Sequence, residues 1–93
     1  MEYIFAFKNT NRAISAEQRL LECGIRVGVL PLPSQVRAGC GICLRVNPDG
    51  VRAAFAALAD IPADEMDVYI RQKENGFFIY TEVTDRSVGH DND

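Results

Sequence analysis

"YIFAFKNTNRAISAEQRLLECGI", residues 3–25, decides the fold, because its hydrophobic period changes from that of a strand to that of a helix within a few residues. Tyr3 to Phe7 are aromatic and apolar with no polar break, the pattern of a strand buried on both faces and therefore central in its sheet. Asn9 or Thr10 can then cap a helix in which Ala13, Ala16, Leu20 and Cys23 recur at helical spacing, with Ile14, Glu17 and Leu21 beside them and Gly24 as the stop. The spacing predicts a helix over about 10–23, with Cys23 packed into the core at the end of the buried stripe.

Outward from that unit, "IRVGVL", residues 25–30, alternates as a half-buried strand that Pro31 and Pro33 end, and a loop from Pro31 to Gly41 follows. "ICLRV", residues 42–46, reads as a third strand. Asn47 and Pro48 then open a second helix with Val51, Ala54, Phe55 and Leu58 inward. "DVYIRQ" and "GFFIYTEV" are strands joined across Glu74-Asn75-Gly76, since Asn-Gly between apolar runs is a strong hairpin signal. This order is that of an α+β fold, a ferredoxin-like split βαβ sandwich: an antiparallel sheet with two helices on one face and an extra C-terminal hairpin strand. Residues 1–84 are expected to form a single domain and 85–93 a flexible acidic tail without apolar anchors.

Ninety-three residues, 47 % of them apolar, suffice for one core. Thirteen acidic and ten basic residues leave a net charge of −3, which opposes nucleic-acid binding. The start of the chain lacks a basic region before a short apolar run, so neither a secretory signal nor a membrane span is expected, and the chain reads as cytoplasmic. Three cysteines in a reducing compartment should act as thiols rather than as a disulfide scaffold. The sole histidine, His90, lies in the tail, and neither a metal site nor a cofactor is expected. "NGFFIYTE", residues 75–82, resembles an RNA-binding octamer but follows the second helix instead of preceding it. Phe77, Phe78 and Tyr80 therefore read as sheet core and edge cover, and a second copy of the chain would cover so apolar a terminal edge. Asp64, Glu65 and Asp67 read as a solvated loop.

Cys40 and Cys43 form a C-x-x-C that leads into a strand, not a helix. Fully extended residues 40–43 would hold the two Cα atoms about 10 Å apart, beyond the ~7 Å reach of a disulfide, so pairing needs a bend at Gly41. Cys40 alone is the better candidate for chemistry. Gly39 and Gly41 permit a tight turn that would leave its sulfur uncovered, and Arg37 and Arg45 carry charge that would favour a thiolate. A glycine-flanked cysteine as simple filler remains open, and packing is the expectation for Cys43 between Ile42 and Leu44.

"PLPSQVRAGCGICLRV", residues 31–46, resembles the selenium/sulfur carrier-like family of small proteins, whose pattern runs Pro-x-Pro and then Cys-Gly-x-x-Leu-Arg. Pro31, Pro33, Cys40, Gly41, Leu44 and Arg45 match it, and Ala13, Glu17, Leu20, Gly24 and Ile25 match the family's opening helix. Two departures stand out. Ser34 and Arg37 exchange the usual places of charge and hydroxyl, and Cys43 replaces a small apolar residue. The resemblance implies that Cys40 is a carrier thiol holding sulfur or selenium as a persulfide or selenosulfide. It further implies donor and acceptor proteins, Cys43 as resolving thiol or filler, and a carrier rather than a stand-alone enzyme. Two other readings stay open, an interaction or regulatory module without covalent chemistry and a C-x-x-C redox protein.

Overall fold

The computed structural model describes residues 1–84, so the predicted tail at 85–93 lies outside the described residues. The elements are β1 (Glu2–Phe7), α1 (Thr10–Glu22), β2 (Gly28–Pro31), β3 (Ile42–Val46), α2 (Pro48–Ala57), a 3-10 turn (Ala63–Glu65), β4 (Met66–Glu74) and β5 (Phe77–Val83). The five strands form one sheet in the order β2-β3-β1-β4-β5, and every neighbouring pair is antiparallel. The unbroken apolar run of β1 thus takes the central place expected of it.

Alternation sorts the strand residues into two faces. Tyr3, Phe5 and Phe7 of β1, Leu44 and Val46 of β3, and Met66 and Val68 of β4 share one core cluster with the helix residues Ala13, Ala16, Leu20, Val51, Ala54 and Phe55. The second face carries Ile4, Ala6 and Cys43, which are also buried, together with a polar network centred on Arg71. Arg71 is only 12 % exposed in its side chain. It donates to Glu2 Oε1 from Nε at 2.8 Å and from Nη2 at 2.6 Å, and lies 4.3 Å from the centroid of the Phe78 ring. A fork of this kind compensates the guanidinium for lost water.

The helix boundaries follow their caps. Asn9 Oδ1 accepts the Arg12 N–H at 2.8 Å, opening α1. At the other end Ile25 N–H donates to Leu20 O and Gly24 N–H to Leu21 O, both at 3.0 Å, with Gly24 at φ 77. This Schellman closure corrects two expectations. It uses the N–H of Ile25, so β2 begins at Gly28 and not at residue 25, and it carries the buried stripe from Leu20 to Ile25, leaving Cys23 exposed. Pro31 is the last residue of β2 and not its terminator, because an edge strand tolerates a residue without an N–H. The β4–β5 hairpin turns on Asn75 (φ 52) and Gly76 (φ 85), two left-handed residues as a type I′ turn requires.

Candidate functional site

The segment between β2 and β3 carries most of the residues singled out in the sequence. Its base is closed by the Leu32 N–H donating to Gly41 O at 3.0 Å, and its tip turns through a Val36 N–H to Pro33 O bond of 3.0 Å. Val36 is buried but stands outside the helix-side cluster. The backbone and charge of Arg37 act on the phenol of Tyr69, a residue of the second face of β4. Burial and the charges of Asp67 and Glu82 raise the pKa of that phenol, while Arg37 acts the other way. From there the chain returns past Lys8. A Cβ added at Gly39 would lie under 3.0 Å from the Lys8 carbonyl oxygen, a separation real Cβ atoms essentially never show, so residue 39 must be glycine for this approach.

That close approach delivers Cys40 to the helix-side core, where it is 2 % exposed. Its thiol donates to Thr10 Oγ1 in the first turn of α1 at 3.7 Å, and its sulfur accepts the Ile42 N–H at 3.4 Å. The expectation of an uncovered sulfur is therefore overturned: the bend at 39–41 turns Cys40 inward, against the first turn of α1. Gly41 has nothing within 4 Å of an added Cβ, and its φ is not positive.

Cys40 belongs to the helix-side cluster, whereas Cys43 projects from the opposite face, paired with Ala6 on the side of the sheet away from the helices. It is fully buried, and its thiol points to the Pro31 carbonyl at 3.9 Å. Burial pushes its pKa up; the Arg71 charge opposes that and the Cys40 sulfur adds to it. Arg37 is exposed, and its charge acts on Tyr69. Arg45 lies on the Cys43 face, 3.8 Å from Glu2 Oε2, with its guanidinium laid over Gly28. The segment thus brings Cys40 to the first turn of α1, seats Gly39 against Lys8, and leaves Cys43, Arg45 and Arg37 on or beyond the other face. Thr10, Lys8 and Tyr69 complete the surroundings. Sequence reading reached Thr10 only as a helix cap and Tyr69 only as a strand residue, since their contacts join positions tens of residues apart. Among the described residues no group of three or more His, Cys, Asp or Glu side chains could hold a metal ion, and no helix is long and apolar enough to cross a membrane.

A family described as "Putative Se/S carrier protein-like" has a model that matches residues 2–69, from β1 into β4 and including Cys40. No curated protein and no solved structure matches the chain.

Proposed function

The chain belongs to that Se/S carrier family, and from this premise we propose that Cys40 is the carrier thiol, accepting one sulfur or selenium atom from a donor protein and passing it to an acceptor. The observation that carries the reading is that the matched family segment contains a cysteine, preceded by the glycine packed on Lys8, that is held at the start of a helix by Thr10 Oγ1 and the Ile42 N–H. In the transfer the Cys40 thiolate attacks the outer sulfur of a donor persulfide. A new S–S bond forms at Cys40 Sγ as the donor's S–S bond breaks, and the electron pair leaves on the donor thiolate. The acceptor reverses the step, so no outside oxidant or reductant is needed. Selenium would travel the same way as a selenosulfide.

Because Cys40 is buried, loading requires the 32–41 segment to lift from Tyr69 and Lys8, and the docking donor supplies the contacts that replace them. Burial would shield the stored atom between partners. A donor such as a cysteine desulfurase and a cytoplasmic setting suit three free thiols. The strand order and the helix-side core support a ferredoxin-like reading of the fold, with β5 as the added hairpin strand and residues 1–84 as one domain.

The burial of Cys40 in the core cluster favours a second reading, an interaction module without covalent chemistry. Intact-mass analysis after incubation with a cysteine desulfurase and cysteine separates the two. The carrier reading expects one added sulfur on wild type, Cys23→Ser and Cys43→Ser, and none on Cys40→Ser. Loading of Cys40→Ser at the wild-type level, or of no form at all, would leave the interaction module, and a Cys40–Cys43 disulfide would establish the redox alternative.

A further inference from the structure

The two edges of the sheet are built differently. Strand β2 is four residues long and ends in Pro31, two features that discourage further pairing. Strand β5 is seven residues, Phe77-Phe78-Ile79-Tyr80-Thr81-Glu82-Val83, with no proline, no lysine and one charge. Its far half also runs past its own core. The last residue of β4 paired to β1 is Arg71, so Gln72–Glu74 and their β5 partners Ile79, Phe78 and Phe77 extend as a two-stranded overhang. Phe77 is 73 % exposed there, Phe78 44 % and Ile79 43 %.

We propose that β5 pairs antiparallel with β5 of a second copy about a two-fold axis at Tyr80, giving a ten-stranded sheet with the helices of both copies on one side. The occupant follows from self-complementarity. In this register Phe77 stands opposite Val83, Ile79 opposite Thr81, and Phe78 opposite Glu82 of the other copy. Val83 packs against the margin of its own core, so each exposed Phe77 is laid beside the other copy's core edge. The overhang of one chain thus covers the base of the next. Aromatic and β-branched side chains facing each other across strands stabilise such pairs. On the second face Lys73 Nζ lies 5.8 Å from the Phe78 ring centroid. Glu82 of the other copy would flank that ring from the other side, so opposite charges bracket it, twice per dimer by symmetry.

Sedimentation equilibrium at high micromolar concentration tests this. Wild type should give twice the 10.3 kDa chain mass. Ile79→Lys should give the single-chain mass with unchanged circular dichroism and melting, because that side chain is already half-exposed in one chain. The register is read separately in a Cys23→Ser background, which removes the exposed native thiol. Mixed Ile79→Cys and Thr81→Cys chains should form a disulfide-linked pair on mild oxidation, and neither chain should do so alone, since like positions would stand about 7–8 Å apart on the diagonal. A wild-type monomer, or a dimer that Ile79→Lys leaves intact, would overturn the interface. Cross-linking absent from the mixture would overturn the axis at Tyr80.

Discussion

Gly39 and Gly41 flank the same cysteine, and the structure assigns them opposite tolerances. A methyl group at residue 39 would meet the Lys8 carbonyl oxygen under 3.0 Å away, with the carbonyl carbon at 3.2 Å. Carbon contacts are comfortable near 3.5–4.0 Å, so one backbone must retreat by on the order of 1 Å. Neither is free to do so, because Lys8 N–H is bonded to Glu65 O at 3.0 Å and Cys40 is packed in the core. Overpacking of this kind costs about 1–3 kcal/mol. For a domain of this size that is a fall in melting temperature of roughly 5–20 °C. The strain falls on the 32–41 segment, and every ~1.4 kcal/mol that favours its open form raises the open population tenfold. Gly39→Ala should therefore melt lower and expose Cys40 to iodoacetamide at least about tenfold faster, read as peptide mass against time. Gly41→Ala, facing open space, should be neutral or stabilising by up to about 1 kcal/mol, with Cys40 as protected as in wild type. If Gly39→Ala melts like wild type and leaves Cys40 protected, the Lys8 approach does not hold the segment, and the reasoning fails.

The native thiols should alkylate in the order their exposure dictates: Cys23 first, and Cys40 and Cys43 at least about tenfold more slowly until denaturant is added; Cys40 reacting as fast as Cys23 in the folded protein would refute the buried placement. Stability should fall at alkaline pH. Burial raises the Cys43 pKa, so above the ~8.5 of a thiol in the unfolded chain the folded state keeps a proton that the unfolded state has lost. The contribution is complete below that pH and declines as pH rises towards the folded value, and the raised Tyr69 phenol acts with the same sign above about 10. Urea midpoints taken from pH 8 upward should decline less steeply in Cys43→Ala than in wild type, whatever its offset at neutral pH, and equal slopes would remove Cys43 as the source.

The local elements were legible in the sequence because each is specified by neighbours. The unbroken run Tyr3 to Phe7, the stripe Ala13-Ala16-Leu20, the Pro48 start and the Asn75-Gly76 turn depend on side-chain period and on backbone angles that few residues adopt. The Pro31 to Arg45 pattern singled out Cys40 and led to the expectation of an uncovered sulfur, which the structure buries. Its burial was decided elsewhere, by a carbonyl at Lys8, a hydroxyl at Thr10 and a phenol at Tyr69, residues that meet the 32–41 segment only when β1, α1 and β4 are assembled around it. The same holds for Cys23, which a helical stripe would bury and a Schellman closure leaves in solvent. Period is a property of the adjacent chain, whereas the cover over a sulfur atom is a contact between distant parts of it, and only the packed sheet and helices supply that.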